Sequence, residues 1–191
     1  VEEVEKDRVF FDQSKGGITF SGGEPLMQPD FLEALLERFK KQGVRRTVDT
    51  SGYAPFEVLE RVSRNVDLFL YDIKLMDEKK HKEYTGVSNR IILENLKKLA
   101  EIEKKVVVRI PVVPGINDDR ENIQKTAEYL LSLKKIKHIN LLPFHRGGAD
   151  KAKRLGKKSL AKSIPSPDEQ NMEEIRKTLS RFGFLLDKGE K

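Results

Sequence analysis

The chain has no cysteine and no tryptophan. Without thiols it forms no disulfide, and the redox state of its compartment leaves no mark on its composition. No apolar run approaches the ~20 residues that a membrane span needs. The N-terminal stretch VEEVEKDRVF mixes acids with bases and lacks the apolar core of a signal peptide. A soluble, cytoplasmic protein is therefore expected. Internal repeats, low-complexity tracts and linkers are also missing, so residues 1–191 are expected to form one domain. Aromatic residues are absent from Arg146–Ser163, a stretch dense in Lys and Arg around a single acid, Asp150. A basic stretch with nothing to stack bases reads as a solvated loop, and nucleic acid is not an expected partner.

What the sequence does contain is ordinary for a globular fold: 37% hydrophobic and 36% charged residues, with a net charge of +6. Short apolar runs recur at Ile18–Phe20, Thr47–Asp49, Val66–Ile73, Val106–Val113 and Ile139–Phe144, with a weaker one at Phe184–Leu186. Segments of helical period separate them. DFLEALLERFKKQG places Phe31, Leu32, Leu35, Leu36 and Phe39 on one face and stops at Gly43. PFEVLERVSRN opens with Pro55 at an expected first helical position. RIILENLKKLAEI, RENIQKTAEYLLSLKK and PDEQNMEEIRKTLSRFG behave alike, the last ending at Gly183. Strand–helix alternation predicts parallel βαβ units. The strands are apolar enough to expect both sheet faces to be covered. A closed eight-unit barrel takes ~250 residues, so an α/β fold with a partial barrel of parallel strands, or an open doubly wound sheet, is expected. Arg146–Ser166 is the expected long loop.

Functional groups of parallel α/β folds gather at the C-terminal ends of the strands. The first strand here ends in Gly22, Gly23, Glu24 and Pro25, and the second in Asp49, Thr50, Ser51 and Gly52. Asp72 and Lys74 follow at the third, two apart and so on one side. Arg109, Pro111, Pro114 and Asn117 lie along the fourth, and His145 just beyond the fifth. Charges inside apolar strands are costly to bury alone. Each has a plainer explanation: a tight turn, a helix cap, a strand-end ion pair, a loop imidazole. All of them falling at one end of consecutive strands favours a ligand site. Three carboxylates, two cations and an imidazole suit a zwitterionic ligand, and Asp49 with Asp72 suits a hard cation.

The ordered motifs GGITFSGGEPLMQPDFL, VDTSGY, DLFLYDIKLMDEKKHKEYTGVSNRIILENL, VVVRIPVVPGIND and LLPFHRGG resemble the radical S-adenosylmethionine enzymes. More narrowly, they resemble the activating enzymes of glycyl-radical enzymes, the pyruvate formate-lyase activating enzyme group. The likeness covers essentially the whole chain. It implies that Gly22, Gly23, Glu24 and Pro25 receive the methionine ammonium group of S-adenosylmethionine, with Glu24 as a charge-assisted acceptor. It implies that Asp49 and Asp72, with Thr50 alongside, hold a monovalent cation near the methionine carboxylate. Lys74, Arg109 and His145 match positions that contact the cofactor. The implied chemistry is reductive cleavage of S-adenosylmethionine to a 5′-deoxyadenosyl radical, which abstracts hydrogen from a backbone glycine of a partner enzyme. An electron donor such as flavodoxin or ferredoxin is implied as a second partner.

The group's reductant is a [4Fe-4S] cluster held by three cysteines in a C-x-x-x-C-x-x-C loop, and this sequence has none. The expectation is a C-terminal fragment of a longer enzyme, lacking the first barrel strand and inactive alone, with no catalytic residue of its own. Two alternatives stand beside it. One is a cysteine-free, non-catalytic scaffold that binds S-adenosylmethionine or a glycyl-radical enzyme. The other is an unrelated lyase using Lys74 as a Schiff-base amine.

Overall fold

The computed structural model describes residues 8–145 and 164–187, together with residues 4 and 6. Helix α1 (Arg8–Ser14) precedes strand β1 (Gly17–Phe20), and a 3₁₀ turn (Pro25–Met27) leads into α2 (Pro29–Lys41). There follow β2 (Arg45–Thr50), α3 (Phe56–Ser63), β3 (Leu68–Asp72), α4 (Glu78–Thr85) and α5 (Arg90–Glu101). The remaining elements are β4 (Val106–Val112), α6 (Arg120–Ser132), β5 (His138–Pro143), α7 (Glu169–Arg181) and β6 (Leu185–Asp187). The strands form a sheet in chain order, β1 to β6. β1 pairs parallel with β2, β2 with β3, β4 with β5 and β5 with β6. This is the expected α/β class, with the strand order of a partial barrel.

The chain divides into two compact units, Val1–Asp72 with Arg90–Val107, and Ile73–Asn89 with Val108–Lys191. In the first, register aligns Phe20, Val48 and Phe69 across β1, β2 and β3, and all three are buried. Helix α2 sends Leu32, Leu36 and Phe39 into the same core, with the Phe39 and Phe20 ring centroids 6.0 Å apart. In the second unit, Val108 faces Ile139 and Ile110 faces Leu141, all buried, and Ile123, Leu130, Met172 and Leu179 pack as their helical counterparts.

Three expectations change. The strands do not bury both faces: β2, β3, β4 and β5 each alternate a buried residue with a half-buried or exposed one. The crossover helices supply one apolar cover, and the alternate positions, among them Thr47, Asp49, Leu70, Asp72, Arg109 and Asn140, remain partly open. The α2 stripe is narrower than its apolar spacing suggests, because Phe31 is 64% exposed while Leu32 is 3% exposed. Pro55 caps α3 from outside its first turn rather than beginning it. Helices α1 and α4 are additions. For α4 the signal was in the sequence: Asp77 accepts a hydrogen bond from Lys80 N at 2.8 Å, and Gly86 closes the helix at φ 83°. The basic stretch Arg146–Ser163 lies outside the described residues.

Candidate functional site

β1 is followed by Ser21, then Gly22 at φ +136°, a conformation that a residue with a Cβ rarely adopts. A Cβ built on Gly22 or Gly23 would meet nothing within 4 Å, so this backbone borders open space rather than a packed neighbour. The two glycines leave main-chain N–H and C=O groups unshielded by any side chain, beside a strand tip.

Glu24 immediately follows and is held by its own chain. Its Oε1 accepts from Leu26 N at 3.2 Å and from the Thr50 hydroxyl at 2.5 Å. Its Oε2 accepts from Ser51 N at 2.9 Å and the Ser51 hydroxyl at 2.6 Å. A carboxylate has about four lone-pair sites, and these donors account for them. Glu24 thus fastens the tip of β1 to the tip of β2. Thr50 Oγ1 in turn accepts from Gly52 N at 2.9 Å, so its hydroxyl is committed on both sides.

Asp49 accepts from the Ser21 hydroxyl at 3.0 Å, next to the glycine turn. Register sets Asp49 opposite Leu70, and strand alternation then puts Asp72 on the same half-open face. Thr50, 2% exposed, belongs to the other face. Among the described residues no group of three His, Asp or Glu side chains converges as a metal site.

In the second unit, Lys74 follows β3 at a half-buried position and Arg109 lies mid-strand in β4, short of the tip. Ile73 N donates to Arg109 O at 2.9 Å, which brings the Lys74 backbone alongside β4. The buried side chain of Asn117 donates to Lys74 O at 2.8 Å and to Pro111 O at 2.6 Å, and accepts from Val113 N at 2.7 Å. Asn122 accepts from Met76 N at 2.9 Å, and Asn89 donates to Leu75 O and Met76 O at 2.9 and 3.0 Å. Three asparagines therefore fix the segment that carries Lys74. His145 sits just beyond β5, where Phe144 N donates to Val112 O at 3.0 Å.

Sequence reasoning placed Ser51 at the end of the second strand without giving it a role, and passed over Asn140 and Asn95. Ser51 supplies two of the Glu24 bonds. Asn140, the register partner of Arg109, has a buried Oδ1 with no hydrogen-bond partner among the described residues. A polar residue inside an apolar strand was the available signal. Asn95, 1% exposed, interrupts the apolar stripe of α5 and donates to Gly52 O and Ala54 O, both at 2.8 Å.

Residues 1–130 match the Radical SAM superfamily. The chain is 42% identical over 187 residues to a trans-4-hydroxy-L-proline dehydratase activating enzyme of Clostridioides difficile, covering 96% of this chain and 62% of that protein. It is 36% identical to the pyruvate formate-lyase 2-activating enzyme of Escherichia coli (strain K12), covering 98% of this chain and 64% of that one. The chain thus spans about three-fifths of the length of these curated relatives. A solved domain of a pyruvate-formate lyase-activating enzyme from Bacteroides vulgatus is 37% identical. It superposes with a TM-score of 0.76, over 90% of this chain and 98% of that one.

Proposed function

The chain belongs to the radical SAM superfamily, among its glycyl-radical enzyme activating enzymes, and on that premise we propose that these residues bind S-adenosylmethionine in such an enzyme. The parent activity is generation of a glycyl radical on a partner enzyme, a lyase or dehydratase of the kind the relatives are named for. The observation that carries this reading is the open backbone at Gly22 and Gly23, locked to β2 through Glu24.

The residues fit the ligand. Main-chain groups of Gly22–Pro25 take the methionine ammonium, and Glu24 orients them. Lys74, Arg109 and His145 are further cofactor contacts, and the unpartnered Oδ1 of Asn140 is an acceptor for a ligand N–H or O–H. Asp49 and Asp72, with the Thr50 carbonyl, hold a monovalent cation that offsets the methionine carboxylate. When bound and reduced, S-adenosylmethionine supplies a 5′-deoxyadenosyl group able to abstract hydrogen from glycine.

The residues do not fit the iron–sulfur cluster. No cysteine is present in these residues to ligate it. Within these residues the chemistry is therefore binding and orientation. An electron donor such as flavodoxin or ferredoxin, and a cytoplasmic location, suit the parent activity. Among the described residues no helix is long and apolar enough to cross a membrane.

Isothermal titration of the chain with S-adenosylmethionine tests the proposal. Saturable one-to-one binding, weakened by replacing Gly22 and Gly23 together with valine, is expected. Failure to bind, or valine substitution without effect, would reject it.

A further inference from the structure

The Glu24 fastening does not end at the strand tips. Beyond Thr50 and Ser51 the chain turns through Gly52, at φ +71°, and Ala54 N donates to Gly52 O at 3.0 Å. A side chain from a distant helix holds this turn from behind. Asn95 of α5, buried and otherwise among apolar neighbours, spends both of its amide hydrogens on it, one on Gly52 O and one on Ala54 O. The phenol of Tyr71, 0% exposed, donates to Ile92 O at 2.6 Å and so grips the start of the same helix. A Cβ at Gly52 would come within 1.8 Å of that phenol oxygen, so helix, tyrosine and turn fit together with no slack.

We propose that Asn95 is a positioning residue for the S-adenosylmethionine site, acting through the Gly52–Ala54 turn, Thr50 and Ser51, and finally Glu24. The inference rests on the reading of that site as the methionine end. A buried amide is an expensive way to fill an apolar helix face, and an apolar residue of similar volume serves packing alone as well or better. What the amide adds is geometry. Its bonds to the Gly52 and Ala54 carbonyls fix the peptide planes that follow those two residues, and Tyr53 N, in the first of them, donates to the Ser51 hydroxyl oxygen at 3.4 Å. The Ser51 hydroxyl donates in turn to Glu24 Oε2, and Gly52 N donates to Thr50 Oγ1, whose hydroxyl donates to Glu24 Oε1, so the turn is tied to the carboxylate that follows the two glycines. Asn95 touches neither ligand nor reacting atoms in this scheme.

The test compares Asn95→Ala and the near-isosteric Asn95→Leu with Leu130→Ala, a core truncation in the other unit that disturbs none of these bonds. Two quantities are read on each folded variant: the affinity for S-adenosylmethionine by titration, and amide hydrogen exchange at Ser51 and Gly52 in the ligand-free protein. Displacement of a binding group by about an ångström costs on the order of 10-fold to 100-fold. Both Asn95 variants are therefore expected to lose at least about tenfold in affinity and to exchange Ser51 and Gly52 about tenfold faster. Leu130→Ala is expected to melt earlier yet keep its affinity within about twofold. Asn95 variants that bind and exchange like the parent overturn the inference, as does an equal loss of affinity in Leu130→Ala. If the parent chain itself fails to bind, the reading of the site falls. Unchanged exchange at Ser51 and Gly52 then removes the structural half of the inference as well.

Discussion

At the scale of single residues, the site is decided by which groups are already engaged. Glu24 is the clearest instance. Its charge suggests a direct contact with a cationic ligand, yet Thr50, Ser51 and Leu26 surround it with donors. Glu24→Gln replaces one acceptor oxygen by a donor facing donors, and is expected to weaken S-adenosylmethionine binding by loosening the join between the β1 and β2 tips. Gly52 is constrained twice, by its positive φ and by the Tyr71 phenol. Gly52→Ala is expected to destabilise the fold by about 2–4 kcal/mol, measured by urea unfolding, since overpacking and strain add. Asn140 behaves oppositely. Removing a buried acceptor that nothing satisfies gains on the order of 1 kcal/mol. Asn140→Leu is therefore expected to raise the stability of the ligand-free protein while lowering its affinity for S-adenosylmethionine. A variant that loses stability without losing affinity would show that Asn140 serves the fold.

At the scale of elements, apolar spacing and burial part company where a helix begins. In α2, Leu36 is 0% exposed and Phe31 is 64% exposed, although both belong to one apolar pattern. Leu36→Ala is expected to cost about 2–5 kcal/mol, in line with other buried leucines. Phe31→Ser should stay within about 0.5 kcal/mol of the parent. Helix α4 gives a pH dependence. The Lys80 amide hydrogen bond holds the Asp77 carboxyl below its ordinary value of 3.8, and nearby lysines add to the effect. The unfolded chain therefore takes up this proton before the folded one as pH falls. The cap's contribution is complete above about pH 4 and is lost as the medium is acidified through the lowered folded value. Asp77→Asn, which caps without titrating, should remove this part of the acid dependence of the melting temperature between pH 2 and 5.

At the scale of the whole molecule, ligand binding and redox chemistry separate. The proposed S-adenosylmethionine site draws on main-chain groups and charged side chains of this chain. A thiolate-held cluster needs residues that it lacks. Anaerobic incubation of the chain with ferrous iron and sulfide, followed by desalting, is expected to leave no stoichiometric iron or acid-labile sulfide. Titration in potassium buffer against a buffer of a bulky organic cation should give tighter S-adenosylmethionine binding in potassium, if Asp49 and Asp72 share a small cation.

The sequence by itself determined the α/β class, the succession of strands and helices along the chain and the residues at the strand ends. Those are local matters: β-branched runs, helical periodicity, a glycine after a strand, an aspartate ahead of a helix. It also ruled out a cluster ligand, because an absent residue type needs no coordinates. Only the tertiary structure decided how each group is used. That Glu24 is a fastening, that Asn95 reaches from α5 to the β2 turn, and that Asn140 Oδ1 has no partner among the described residues all depend on contacts between residues far apart in the chain. Hydrogen bonds across such separations are set by how helices seat on strands, and residue identity carries no record of that until the core has formed.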